Sequence, residues 1–237
     1  MPALCGKDRR RQGHFSITGE QEQEKKYMKS FSKWTIEEVE ETFHIVQQKQ
    51  SQELEQWMIP IPAPSDSEKQ HLQLLQEKLL DNVWHWNGEE LKVYFIIPLL
   101  ELIRFEETDC KPFLSRELTM TVEDDTVSGI VDFMVASGRR SPKRPYFFIH
   151  EYKKEHDSSN DPLGQLMIEM VTAQHLNADN HPVYGAYIMG RYWHFVVLHE
   201  QNYAVHTGLN AANEELLHIF GVLQNSKQII GEWSRVN

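Results

Sequence analysis

Residues 128–136 read Ser-Gly-Ile-Val-Asp-Phe-Met-Val-Ala and residues 146–154 read Tyr-Phe-Phe-Ile-His-Glu-Tyr-Lys-Lys. Both runs are short, rich in β-branched and aromatic residues and flanked by Gly, Pro and Ser, the pattern of strands in a covered sheet. Just upstream, Leu118, Met120 and Val122 alternate with Thr119, Thr121 and Glu123, a period of two that marks another strand. Asp124-Asp125 supplies the turn into the next strand. The linker between the two quoted runs holds Arg139, Arg140, Lys143 and Arg144 around Ser141-Pro142, so it reads as a basic loop. Three consecutive strands joined by turns predict an antiparallel meander.

Working outward, Asp161-Pro162 marks a helix start, with Asp able to accept from the first orphan amides and Pro suited to the first helical position. This helix is expected to reach about Leu176, burying Leu163, Leu166, Met167, Met170 and Val171 and setting Gln165, Glu169 and Thr172 on another stripe. Residues 183–189 and 193–198 read as two more strands, and a last helix is expected over about 211–224. Upstream, Asn87-Gly88 is a turn, after which residues 89–105 are apolar on nearly every side, as in a central helix kinked or shifted at Pro98. The order from residue 87 to 237 is therefore helix, three strands, helix, two strands, helix, a mixed α/β domain. Residues 28–86 predict an N-terminal helical extension, with one helix over 35–58, a break at Pro60, Pro62 and Pro64, and a second from Ser65 or Asp66 that turns Leu72, Leu75 and Leu79 inward. Residues 1–27 hold too few apolar groups to offset the entropy of ordering and are expected to form a tail, which leaves Met28 as an alternative start.

The residues that carry chemistry are Asp132, Glu151 and Lys153. Asp132 interrupts an apolar strand, where an apolar side chain would be less costly. Glu151 and Lys153 stand two apart in the other strand, which by simple alternation puts them on one face with Phe147 and Ile149. Two carboxylates converging from neighbouring strands repel unless a proton or a cation lies between them, and hard oxygen ligands suit Mg²⁺ or Mn²⁺. A lysine beside such an ion fits phosphodiester hydrolysis, where it orients the attacking water and offsets charge in the transition state. The tripeptide acid, any residue, Lys occurs four times, as Glu24-Lys25-Lys26, Glu90-Leu91-Lys92, Asp109-Cys110-Lys111 and Glu151-Tyr152-Lys153. Only the last ends an apolar strand with an acid 19 positions earlier inside a strand to which a turn would pair it. The alternative reading is a buried structural salt bridge between Asp132 and Lys153.

With these residues in these strands, the stretch from about Asn87 to Leu198 resembles the PD-(D/E)XK, or restriction-endonuclease-like, nucleases, and is similar to the nuclease domain of type I restriction enzymes. The resemblance implies Asp132 and Glu151 as metal ligands, the carbonyl of Tyr152 as a backbone ligand and Lys153 as the catalytic lysine. It implies a site role for Gln165, whose alternative is an ordinary helical Gln. It also implies that the first core helix contributes an acid near the metal; Gly88 stands where that acid is expected, leaving Glu89 or Glu90. Both acids equally suit the positive end of a helix dipole.

Composition bounds the partners. The 24 Lys and Arg against 35 Asp and Glu leave −11, a balance that disfavours broad binding to polyanions. Residues 1–29 carry +3, so the remainder carries −14, and contact with nucleic acid, DNA by expectation, must be local. The cluster Arg139, Arg140, Lys143 and Arg144 is the candidate for the nucleic-acid backbone, its alternative being a solvated hairpin tip. A homo-oligomer is compatible with the sequence. The longest apolar run, residues 93–100, contains Pro98 and is far shorter than the roughly 20 residues that cross a bilayer, and the first residues lack the apolar stretch of a secretory signal. A cytoplasmic location is expected. Two cysteines, Cys5 and Cys110, exclude a disulfide framework and a Cys-based zinc knuckle.

Overall fold

Among the described residues of the computed structural model, a mixed nine-stranded sheet carries helices on both faces. The structure describes residues 28–59, 63–107, 109–122, 125–153 and 161–236, with the backbone alone at 28, 107, 122, 125, 149–153 and 234–236. The expected tail over 1–27, the break at Pro60 and Pro62, Asp124 of the turn, and Lys154 with the segment that follows it lie outside the described residues. In chain order the elements are β1 (Met28–Ser30), α1 (Ile36–Phe43), β2 (Val46–Gln47), α2 (Gln52–Trp57), α3 (Asp66–Asn82), α4 (Gly88–Leu91) and α5 (Ile97–Ile103). There follow β3 (Cys110–Val122), β4 (Asp125–Ser137), β5 (Pro145–Lys153), α6 (Pro162–Asn177), β6 (Val183–Met189), β7 (Tyr192–His199), β8 (Asn202–Val205), β9 (Leu209–Asn210) and α7 (Glu215–Val236).

The expected meander is present as β3, β4 and β5, each antiparallel to the next. The crossover through α6 then sets β6 parallel to β5, and β7 and β8 continue antiparallel. Alternate residues feed two cores. Trp193, Phe195 and Val197 of β7 join the core under α2, α3, α5 and α7, whereas Val196 and Leu198 join the core under α1 and α6.

The central helix departs from the expected single helix in a way its own sequence explains. Its buried residues Leu91, Phe95, Leu99 and Ile103 recur every four positions, and at 3.6 residues per turn such a stripe drifts by about 40° per step, or about 120° in all. One extra residue in a turn restores about 100° of that drift. Residues Lys92–Ile96 form this wide π turn, in which the Ile97 amide donates to the Lys92 carbonyl. The wide turn also lies just before Pro98, which has no amide hydrogen to offer the helix.

Two expectations for the N-terminal segment are corrected. The helix expected over 35–58 is α1 and α2 separated by β2. His44 ends α1 in the left-handed region at φ 54°, and Val46 then pairs with β8, its amide donating to the Gln201 carbonyl at 2.8 Å. The extension is likewise not wholly helical, because β1 and β2 are built into the sheet, β1 parallel to β4 at Thr126–Ser128. At the other end, α7 begins at Glu215 and runs on to Val236, beyond the expected stop near 224. Asn225 and Ser226, just past that expected stop, are buried: Asn225 donates to the Trp57 carbonyl at 3.0 Å and Ser226 accepts from the Trp57 indole at 2.8 Å.

The start of α6 is where the capping reading places it. Asp161 accepts from the Gly164 amide at 3.0 Å and, with its other oxygen, from the Ile36 amide of α1 at 2.7 Å. The helices approach so closely that a Cβ on Gly164 would lie 2.5 Å from the Ile36 nitrogen. Covered by α1 outside and by the sheet inside, α6 is buried nearly all round. Gln165, Glu169 and Thr172 are 3%, 0% and 0% exposed, rather than forming an outward stripe.

Candidate active site

The site is built around a fork in the sheet. One edge of β4 is paired along its length by β3. The opposite edge is shared: β1 takes Thr126–Ser128, and β5 takes Phe133 to Ala136. Residues 129–132 lie in the gap between those two partners, and Asp132 stands just beyond the last pair that β4 makes with β5, Phe133 with Ile149. The strand is also distorted there. Val131 and Met134 both pack into the core under α6, while Phe133 and Val135 pack into the opposite one, so the alternation slips at Asp132. On β3, Phe113 and Leu118 share a core although they are five apart, and between them Ser115 takes a left-handed φ of 49°. Leu114 pairs with Phe133 and Arg116 with Val131, which brackets Asp132 with Ser115.

Asp132 is 29% exposed and accepts from the Lys92 ammonium at 3.2 Å, with Lys92 only 11% exposed. Lys92 opens the π turn, whose Phe95 and Ile96 are fully buried and anchor it. It follows Glu89 and Glu90, the two candidate acids, in the same segment. Glu90 is engaged in a capping box: its carboxylate accepts from the Asn87 amide at 2.8 Å and its own amide donates to the Asn87 side chain at 2.9 Å. Glu89 is exposed in the first turn of α4. Lys92 is the residue that sequence reasoning missed. Its signal was present, a lone charge in the apolar run from Leu91 to Leu100 and a member of the discounted tripeptide Glu90-Leu91-Lys92.

Glu151, Tyr152 and Lys153 belong to β5, and their side chains lie outside what the structure describes. The backbone brings Glu151 to the same end of the hairpin as Asp132: the β4–β5 pairing ends at Phe133 with Ile149, one residue from Asp132 and two from Glu151. The pairing of β5 with β6 shifts between His150 and Tyr152, a bulge that leaves Glu151 as the extra residue. The alternation counted from Phe147 therefore does not carry unbroken to Lys153.

Gln165 lies in the first turns of α6 with Glu169 one turn on, in the layer under α6, whereas Leu91, Phe95 and Ile96 around Lys92 belong to the opposite core. Gln165 and Lys92 thus approach the sheet from opposite faces. Glu169 is a fully buried carboxylate that was not singled out from sequence, because the helix's own pattern does not show what covers that side of it. The basic loop is ordered by backbone bonds between Ser137 and both Lys143 and Arg144, and by Lys111 donating to the Arg139 carbonyl. Arg139, Arg140 and Lys143 are exposed and Arg144 is half-buried. The loop joins the far ends of β4 and β5, roughly 20 Å from Asp132 by the rise of a strand, so the structure does not bring it to the fork.

Elsewhere, a cavity of about 380 Å³ opens at the C-terminal end of α6, lined by His175, His181 and His199 among others. His199 is turned to Glu53 at 3.0 Å, and the Glu53 carboxyl is held below the usual carboxylate range by its own backbone amide and then by His199. Among the described residues no group of three or more His, Cys, Asp or Glu could hold a metal ion, and no helix is long and apolar enough to cross a membrane.

No family model matches the chain, and no curated protein does. The solved structure titled "Crystal structure of SSO0001" is similar at 12% sequence identity, with 73% of this chain and 89% of that one covered. Its TM-score is 0.21, and the likeness carries no argument.

Proposed function

We propose that the chain is a divalent-metal-dependent nuclease with a restriction-endonuclease-like core, hydrolysing phosphodiester bonds in DNA. The observation that carries this reading is the position of Asp132: a partly exposed acid between the buried Val131 and Phe133, at the fork where β4 gains β5 and one residue from the pair that closes the hairpin toward Glu151. The element order around it, a helix, three antiparallel strands, a helix and two further strands, supports the same core.

The donor chemistry fits a hard cation. Asp132 and, along the backbone, Glu151 bring hard oxygen donors to one end of the hairpin, and a divalent ion would take the place that the Lys92 ammonium holds at Asp132. Asp132, Glu151 and the carbonyl of Tyr152 would hold Mg²⁺ or Mn²⁺. Such an ion, when bound, polarises a phosphate oxygen and acidifies water. Lys153 would orient that water and offset the charge of the transition state, and Gln165, on α6 at the face opposite Lys92, would have to reach the site through the gap between β1 and β5. Nicking of plasmid and oligonucleotide DNA with Mg²⁺ or Mn²⁺ tests this. Wild type should cut, and Lys153→Ala and Asp132→Asn should each lose about a hundredfold or more. Equal activity in wild type and Lys153→Ala would mark a contaminant and end the proposal.

A second reading, a non-catalytic binding or regulatory module on the same core, is favoured by the Lys92–Asp132 ion pair, which neutralises the acid without metal, and by the net charge of −11. Melting with and without Mn²⁺ separates the two. A metal that binds the native state alone raises stability by about 2.7 kcal/mol at one hundred times its dissociation constant. Asp132→Asn should remove that rise if the nuclease reading holds.

A further inference from the structure

We infer that Lys92 is the resident counter-cation of Asp132 and that a divalent ion competes with it for that carboxylate, so that Lys92 sets how tightly the fork takes metal. The inference rests on the nuclease reading, because it concerns the same carboxylate. Its ground is the ion pair at 3.2 Å between a lysine that is 11% exposed and an acid that is 29% exposed.

The lysine is held there by the backbone. It opens the π turn; its amide donates to the carbonyls of Gly88 and Glu89 behind it, and its carbonyl accepts from Ile97 ahead of it. Leu91, Phe95 and Ile96 around it are buried, so the main chain cannot swing the ammonium away without unpacking the core. A second cation arriving at Asp132 would stand within a few ångströms of Nζ, where like charges oppose each other strongly in a partly buried setting. The metal must therefore displace the ammonium by rotation of the lysine side chain alone, and wild type should bind metal more weakly than a protein with a neutral side chain at 92.

The experiment is a calorimetric titration of the full chain with Mn²⁺, checked by melting temperature, on wild type, Lys92→Met, Lys92→Arg and Asp132→Asn, with circular dichroism to confirm folding. Lys92→Gln replaces Lys92→Met if the latter does not fold. The dissociation constant of Lys92→Met should fall by at least about tenfold, because an adjacent charge shifts a carboxylate's affinity for a cation by one to three decades. Lys92→Arg, which keeps the charge, should stay within about twofold of wild type on the same argument, and Asp132→Asn should bind no Mn²⁺. An unchanged or weaker constant for Lys92→Met overturns the competition while leaving the metal reading standing. Equal tightening in Lys92→Met and Lys92→Arg traces the effect to packing and overturns it as well. Absence of Mn²⁺ binding in both wild type and Lys92→Met ends the metal reading itself, and the competition with it.

Discussion

Asp161 accepts from the Gly164 amide through one oxygen and from the Ile36 amide through the other, so a single carboxylate caps α6 and α1 together. One cap contributes about 1 kcal/mol. Asp161→Ala should therefore cost about 2 kcal/mol, read as a lower urea midpoint with an unchanged m-value. Gly164 meets the same neighbours. A Cβ there would lie 2.5 Å from the Ile36 nitrogen and the Thr35 carbonyl carbon, both backbone atoms that cannot turn aside, and Gly164→Ala should cost about 1–3 kcal/mol. Because both substitutions part α1 from α6, their double variant should lose less than the sum of the two. The aspartate was legible from sequence as a helix cap; its second role was not, since Ile36 lies 125 residues away.

At the scale of elements, the β4–β5 hairpin holds the basic cluster and the acids of the proposed site at opposite ends. Its tip carries the four bases and its far end carries Asp132 and Glu151, roughly 20 Å apart by strand rise. Replacing Arg139, Arg140 and Lys143 with Ala should lower the slope of DNA affinity against salt by about 2 to 3, since each neutralised phosphate contributes about 0.9. Anisotropy of a labelled duplex across a salt series measures this slope. Melting temperature should be unchanged, because these three side chains are exposed. The cleavage rate at saturating DNA should hold as well, because the tip is remote from the fork. The hairpin was readable from its period of two and its turn residues. The π turn was half readable: Pro98 announced an irregularity, and the four-residue spacing of Leu91, Phe95, Leu99 and Ile103 contained the reason for it. The slip of alternation at Asp132 had no such trace, since Ser115 carries no local demand for a left-handed φ.

For the whole molecule, acid should unfold the chain in two stages. Burial pushes the imidazoles of His194 and His206 below their usual range of 6.5, with neighbouring imidazoles adding to it. The unfolded chain then takes up protons first as pH falls, so the stability present above about 6.5 declines below it. Below about 4.5 a second loss begins as Glu38, held down first by its bond to Lys29, and Glu53 gain protons more readily in the unfolded state. Melting temperatures from pH 7.5 to 5 should fall, and His194→Gln with His206→Gln together should flatten that first slope. The sequence by itself determined the meander, the capped α6, the paired strands that follow and the acid inside an apolar strand, because each rests on local period, turn chemistry or capping within a few residues. Only the tertiary structure decided where the sheet forks, that β1 and β2 join it, that α6 is buried nearly all round and that Lys92 meets Asp132. Those outcomes depend on contacts between segments tens to more than a hundred residues apart, whose free energy appears only when the chain closes on itself and leaves no mark on the local pattern.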